Sequence, residues 1–333
     1  MSTKINHILT NSELITPNSE LLIDSYGRII DELRISITKR CNLRCIYCHN
    51  EGLGTHKKSI ELSAEQLERY AKVASSLGIK HIKLTGGEPL VRTDIVEIVK
   101  RLAKYCEVSM TTNATYLTEV LAKKLRSTGL SRINISIDTL DKKLFYKLRG
   151  TDIELVINGV KAALKAKLTP VKLNIVLTRE TFQTFPEILD FAKSNKGITV
   201  QVIQFMPENV GDCYQQIVPV DINYVHNYLE KLSSQTEIRK IHKRKVYTIN
   251  GVKVEVVDPV DNPDFCANCR RIRVTPEGHF KGCLNQVFVV PVEDPDNETL
   301  IEERLRKVVR ERIPFYGVLK NGNCKMQIEK CKL

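Results

Sequence analysis

Two groups of cysteines have the residue types and spacing for metal chemistry. Cys41, Cys45 and Cys48 form a C-x3-C-x2-C run in CNLRCIYC, and Cys266, Cys269 and Cys283 form C-x2-C-x13-C. Three thiolates on one short loop can hold three irons of a [4Fe–4S] cube, for which four cysteines are the usual complement. The missing fourth ligand would leave one iron open, as catalytic metal sites keep one position open. Structural zinc is the alternative for each group. The first group would need a fourth ligand nearby, and His49, adjacent to Cys48, is poorly placed to complete a tetrahedron. At the second group, His279 or Cys324 could close half of a zinc ribbon. The other four cysteines (Cys106, Cys213, Cys324, Cys331) are scattered and read as small buried hydrophobes.

The elements that must position these groups can be read from periodicity. Apparent strands at 33–38, 81–85, 107–111, 132–137, 172–178 and 200–205 alternate with helical patterns such as SAEQLERYAKVASSLG (63–78), where Ser63 and Gln66 fit a capping box. Such alternation implies parallel β/α units. Six units fit a doubly wound sheet or a barrel, complete or partial, and both gather ligands at the C-terminal ends of the strands. The first cysteine group follows strand one, Gly86-Gly87-Glu88-Pro89 strand two and Thr112-Asn113 strand three; Ser136 and Asp138 close strand four, and Met206-Pro207 follows strand six. The unusual residues therefore share one rim.

After about residue 225 the pattern changes. KVYTINGVKVEVVD (245–258) reads as a hairpin around Asn250-Gly251, and RIRVTPEGHFKGC (271–283) as a second, turning at 276–279. The expected organisation is α/β: an N-terminal extension (1–30), a β/α core (31–225) and a smaller α+β C-terminal domain (226–333) carrying the second cysteine group.

The 333 residues include 51 Lys and Arg against 39 Asp and Glu, a net charge of +12, with 42% hydrophobic and 27% charged residues, the balance of a soluble globular protein. No apolar run is long enough to span a membrane and the first twenty residues lack a signal-peptide core, so a cytoplasmic location without membrane association is expected. In that compartment ten cysteines suggest metal or catalytic work rather than disulfides. The positive excess favours an anionic partner, whether nucleotide, nucleic acid or acidic membrane. It is spread along the chain, however, densest at the short His242-Lys243-Arg244-Lys245, so solvated surface charge is the plainer reading and nucleic-acid binding is not expected as the main function.

With Tyr47 before the third cysteine and GGEP one β/α unit later, the chain resembles the radical SAM enzymes. That resemblance implies an open iron chelated by S-adenosylmethionine (SAM), which reduction cleaves to methionine and a 5′-deoxyadenosyl radical. The GGEP glycines allow close backbone approach, and a carboxylate or carbonyl there can accept from the SAM ammonium. The second incomplete triad, FCANCRRIRVTPEGHFKGC, resembles the MoaA family, the GTP 3′,8-cyclases of molybdenum cofactor biosynthesis. The likeness runs from Leu22 to about Leu284, through LLIDSYGRIIDELRISITKRCN, TGGEPLVR, MTTN, INISIDTLD, VKLNIVL and QFMP.

This second resemblance implies a partial (β/α)6 TIM-like barrel, SAM, and two [4Fe–4S] clusters, the second holding substrate. The implied reaction is conversion of GTP to (8S)-3′,8-cyclo-7,8-dihydroguanosine 5′-triphosphate, by hydrogen abstraction at ribose C3′ and attack on C8. Both fragments would have to be held in near-attack geometry. Carried over by motif, Cys41, Cys45 and Cys48 hold the catalytic cluster and Cys266, Cys269 and Cys283 the second. Tyr47, Gly87, Ser136 and Met206 then contact SAM, and Arg34, Lys83, Thr111, Lys172, Arg271 and Arg273 contact GTP. The basic residues suit a triphosphate on their own terms, and Arg271 and Arg273 alternate onto one face of their strand. The partners implied are cyclic pyranopterin monophosphate synthase downstream, an electron donor such as ferredoxin or flavodoxin, and a homodimer. A radical SAM enzyme modifying a peptide through one auxiliary cluster is the alternative, and a zinc-stabilised RNA-binding barrel a third. Three departures stand out: Lys83 where the family commonly has Arg, Arg270 where it commonly has Asn, and the terminus MQIEKCKL where it usually ends in Gly-Gly.

Overall fold

The computed structural model describes residues 21–49, 60–206, 217–286 and 288–316. Pro207, Cys213, Cys324, Cys331 and the C-terminal MQIEKCKL lie outside them. Six parallel strands form the centre: β1 (Glu32–Ser36), β2 (His81–Thr85), β3 (Glu107–Thr112), β4 (Leu130–Ser136), β5 (Val171–Leu177) and β6 (Ile198–Gln204). Between them run α1 (Ala64–Ser76), α2 (Ile95–Leu102), α3 (Glu119–Ser127), α4 (Lys142–Arg149), α5 (Ile153–Lys165), α6 (Arg179–Gln183) and α7 (Phe185–Ser194). Each strand expected from the sequence is present within two residues at each end. The capping box at α1 forms: the Gln66 N–H donates to Ser63 Oγ (3.2 Å) and the Ser63 N–H to Gln66 Oε1 (3.0 Å).

The remaining chain supplies α8 (Ile222–Leu232), β7 (Gln235–Ile238), β8 (Lys245–Ile249), β9 (Val252–Val257), α9 (Pro263–Ala267), β10 (Arg271–Val274), β11 (Phe280–Lys281) and α10 (Glu298–Glu311). Both expected hairpins are there, β8–β9 and β10–β11. Their placement was not foreseen. They join the same sheet at opposite edges, β10 pairing parallel with β1 and β9 parallel with β6. The order is β11-β10-β1-β2-β3-β4-β5-β6-β9-β8-β7. The chain between β9 and β10, which carries Cys266 and Cys269, thus passes from one edge of the parallel sheet to the other, and Cys283 follows β11.

The strands mostly alternate apolar and polar side chains. Leu33, Ile35, Ile82, Leu84, Val108, Met110, Ile133, Ile135, Leu173, Val200 and Val202 are buried on one face, against helices such as α1, α2 and α5. The opposite face carries Arg34, Lys83, Thr111, Asn134, Lys172, Asn174, Gln201 and Glu255. A parallel sheet covered on both faces reads as a continuous apolar run, and a closed TIM barrel fills its interior with branched apolar side chains. Polar side chains on the inner face belong instead to an open barrel whose interior is a binding cavity.

Candidate active site

The first cysteine loop leaves β1 and is fixed by its neighbours. Beyond the strand ends, the Gly87 N–H donates to the Thr38 carbonyl (2.7 Å) and the Glu88 N–H to the Arg40 carbonyl (2.8 Å), so GGEP runs alongside the three residues that precede Cys41. A Cβ on Gly86 would overlap the Thr38 carbonyl and one on Gly87 the Arg40 carbonyl; Gly86 also has φ +149°. Only glycine lets the two backbones approach this closely. The Glu88 carboxylate is committed internally. It accepts from Thr112 Oγ1 (2.6 Å) and from the N–H groups of Asn113 (2.6 Å) and Leu90 (2.9 Å). Of the two SAM-ammonium acceptors expected in GGEP, the backbone carbonyl is therefore the one left available.

Behind the loop lies a buried network. Tyr47 donates its hydroxyl to Asp138, and Arg149 Nε donates to the same carboxylate oxygen at 2.6 Å. The Val176 N–H donates to the other oxygen (3.0 Å). Asp138 is 0% and Arg149 5% exposed, and the guanidinium lies 5.6 Å from the Tyr47 ring centroid. Arg149 Nη1 also approaches Cys45 Sγ at 3.9 Å. Burial pushes the Cys45 thiol up to about 11, with Arg149 opposing it. Tyr47 is thereby fixed by its hydroxyl. Asp138 was conspicuous in the sequence only as a residue ending a strand, and Arg149 carried no signal.

A cavity of about 220 Å³ opens on the polar face of the sheet. Cys266, Cys269 and Cys283 all line it, as do His49 and Met206. Seven cations also line it: Arg28, Arg34, Lys83, Arg244, Arg271, Arg273 and Arg312; among the described residues, no carboxylate does. Register explains part of this. Lys83 on β2, Arg34 on β1 and Arg273 on β10 are direct partners across three adjacent strands, and so form one row.

The carboxylates stand behind this wall. Glu32 takes Arg271 Nε (2.8 Å), Glu255 takes Arg244 Nη1 (2.9 Å), and Asp24 takes Arg28 Nε (2.6 Å). Burial drives the Lys83 ammonium from 10.5 down to about 7; Glu32 resists, while Arg34, Arg271 and Lys172 reinforce it.

Of the residues expected at substrate, Arg34, Lys83, Thr111, Arg271 and Arg273 line the cavity. Lys172 does not. Its Nζ is engaged by Glu255, which Arg239 Nη1 (3.0 Å) and Arg244 also hold. Ser136 ends β4, paired with Asn174, outside the cavity lining. Arg28, Arg244 and Arg312 were missed. Arg28 follows Asp24 by four residues within LLIDSYGRII, the one local hint available; Arg244 was noted only as part of a basic run.

The donor sets fit iron–sulfur clusters. None of the six cysteines is in a disulfide, and they fall into two groups of three. Among the described residues no three His, Cys, Asp or Glu side chains converge to hold a single metal ion. A cube that takes its thiolates on separate irons does not require such convergence. Burial raises the Cys266 thiol to about 11. It acts the same way on Cys269, but there Arg312 and Arg271 outweigh it and the thiol falls below 9.0.

Comparison with known proteins agrees with this geometry. Residues 35–192 match the Radical SAM superfamily and residues 198–315 match Molybdenum Cofactor Synthesis C. In fold, the chain is similar to Streptococcus suis SuiB bound to S-adenosylmethionine (TM-score 0.62, 20% identity, 78% of this chain), of whose length it spans 61%. It is also similar to anSMEcpe with bound AdoMet (TM-score 0.56, 18% identity, 86% of this chain and 83% of that one). These define a radical SAM barrel. Sequence relatives are nearer: a probable GTP 3′,8-cyclase of Halobacterium salinarum is 37% identical over 89% of this chain and 90% of its own, and one of Methanosarcina mazei 40% over 94% and 93%. The chain belongs to the GTP 3′,8-cyclase family.

Proposed function

We propose that the protein converts GTP to 3′,8-cyclo-7,8-dihydroguanosine 5′-triphosphate, the first step of molybdenum cofactor biosynthesis. The observation that carries this reading is one cavity lined by seven basic side chains, by no carboxylate among the described residues, and by the three thiols of the second cysteine group. A nucleoside triphosphate brings about four negative charges, and arginines bind phosphate through paired N–H donors.

Cys41, Cys45 and Cys48 would hold the SAM cluster, with Tyr47, Gly87, Ser136 and Met206 around SAM. Cys266, Cys269 and Cys283 would hold a second [4Fe–4S] cluster facing the purine. When bound, the first cluster and SAM supply hydrogen-atom abstraction from the substrate. The chain's own work is positional: Gly87 and the Asp138–Arg149–Tyr47 network fix the first loop, and Arg34, Lys83, Thr111, Arg271 and Arg273 hold the triphosphate and ribose. Lys172, held by Glu255, would reach substrate only by exchanging that partner. No helix among the described residues is long and apolar enough to cross a membrane. A cytoplasmic enzyme drawing electrons from a ferredoxin or flavodoxin, acting as a homodimer and passing product to cyclic pyranopterin monophosphate synthase, completes the proposal. A peptide substrate has less support, because nothing about a peptide calls for this density of cation.

The test is 5′-deoxyadenosine formation by anaerobically reconstituted protein with SAM and reductant, with and without GTP. Strong stimulation by GTP, lost in Cys45→Ala, is expected. Cleavage indifferent to GTP would overturn the substrate assignment.

A further inference from the structure

Two residues near the start of the described chain and one near its end meet beside the second cysteine group. Asp24 and Arg28 belong to the turn closed by the Ile23–Ile29 bridge, and Arg312 ends α10. Asp24 Oδ1 accepts from the N–H groups of Tyr26 and Arg28 (3.0 Å each). Asp24 Oδ2 takes Arg28 Nε (2.6 Å) and Arg312 Nη1 (3.5 Å). Each guanidinium then reaches one cysteine of the CxxC. Arg28 Nη1 donates to the Cys266 carbonyl (2.9 Å), and Arg312 Nη2 to the Cys269 carbonyl (3.1 Å).

The arrangement leaves two donors over. Arg28 Nη2 and Arg312 Nε are buried without a hydrogen-bond partner among the described residues, in side chains that line the cavity beside the thiols. A buried donor left unpaired costs about 1–3 kcal/mol, so an acceptor is to be expected there. The sulfurs of an iron–sulfur cluster, inorganic or cysteinyl, are anionic acceptors of this kind. The charge is also unbalanced, two guanidiniums sharing one carboxylate. At the first cysteine group the count is even, since Arg149 faces Asp138 one to one. The potential of an iron–sulfur cluster is set by net charge and by hydrogen bonds to its sulfurs.

We propose that Asp24, Arg28 and Arg312 are positioning residues for the second cluster. They clamp both CxxC cysteines by their carbonyls and supply the positive charge and N–H donors that favour the cluster's reduced state. This rests on the reading that Cys266, Cys269 and Cys283 bind a cluster. Arg312 removes positive charge when lost and Asp24 adds it, so their substitutions shift the reduction equilibrium in opposite directions. A purely architectural triad would give no such opposition.

The test uses full-length protein carrying Cys41→Ala, Cys45→Ala and Cys48→Ala, reconstituted anaerobically without GTP so that only the second cluster is present. Its midpoint potential is followed by EPR during a redox titration. Adding Arg312→Met is expected to disfavour reduction about tenfold, 59 mV for one electron; Arg312→Lys should retain most of the wild-type potential, and Asp24→Asn should move it the other way. An unchanged midpoint in Arg312→Met with iron still bound, or shifts of the same sign in Arg312→Met and Asp24→Asn, would overturn the proposal. If Arg312→Met fails to load, Arg28→Gln is expected to give the same negative shift, and an unchanged midpoint there would also overturn it. Absence of iron from the parent triple variant would instead remove the reading of the second cysteine group, and the proposal with it.

Discussion

Replacing Lys83 with Arg should abolish a proton uptake that accompanies GTP binding. Lys83 stands in the row with Arg34 and Arg273, and its ammonium is driven from 10.5 to about 7 by burial and by neighbouring cations. A drop of that size disfavours the charged form by at most about 5 kcal/mol, less where water enters the cavity. Because the folded pKa lies below the unfolded one, this destabilisation of the empty protein is fully present below pH 7 and fades as pH rises towards 10.5. A bound triphosphate reverses the balance and carries the pKa upward. If the ammonium stays fully protonated in the complex, binding takes up about a tenth of a proton at pH 6, about half at pH 7 and about nine-tenths at pH 8. Calorimetry of the cluster-loaded protein, in buffers of different ionisation enthalpy, measures the uptake directly. Titration of the nucleotide's own terminal phosphate is common to wild type and Lys83→Arg, so their difference isolates Lys83. Above pH 7 the wild-type Kd should rise up to tenfold per pH unit and that of Lys83→Arg should not. Equal proton uptake by both proteins at pH 8 would refute the reasoning.

Glu255→Gln should destabilise the protein at pH 7 by about 3 kcal/mol, because Arg244, Lys172 and Arg239 outweigh burial and hold this carboxyl down to about 2. A depressed carboxyl contributes stability above its unfolded pKa of 4.5, so the difference in denaturant midpoint from wild type should shrink as pH falls from 4.5 towards 2. Asp138→Asn leaves the Arg149 guanidinium buried without its counter-ion; a loss of about 3–5 kcal/mol in denaturant unfolding is expected, and a loss below 1 kcal/mol would show that the network does not stabilise the loop. Gly87→Ala forces GGEP away from Arg40; equilibrium dialysis should show SAM affinity reduced at least tenfold while circular dichroism still reports a folded barrel.

Much of the fold and part of the site were legible in the sequence, for local reasons. Ser63 and Gln66 cap a helix because the atoms that bond are three residues apart. The six strands alternate because side chains on a pleated strand have period two, and the first three cysteines stay together because they lie within eight residues. The glycines of GGEP marked a close backbone approach before its partner, Arg40, could be named. Glu88 was harder to read: the same carboxylate could face a ligand or fasten its own loop, and three buried donors decided for the loop.

The sequence by itself therefore determined the elements, the rim that collects the chemistry, and the two groups of three thiols. Only the tertiary structure decided that the chain after β6 adds strands to both edges of one sheet. That closure puts Arg273 beside Arg34, brings Arg28 and Arg312 together on Asp24, and leaves Lys172 behind Glu255 instead of in the cavity wall. These contacts join positions up to 288 residues apart. They depend on which edges pair and in what register, and such long-range choices are governed by burial and packing of the whole sheet, which no local run of residues encodes.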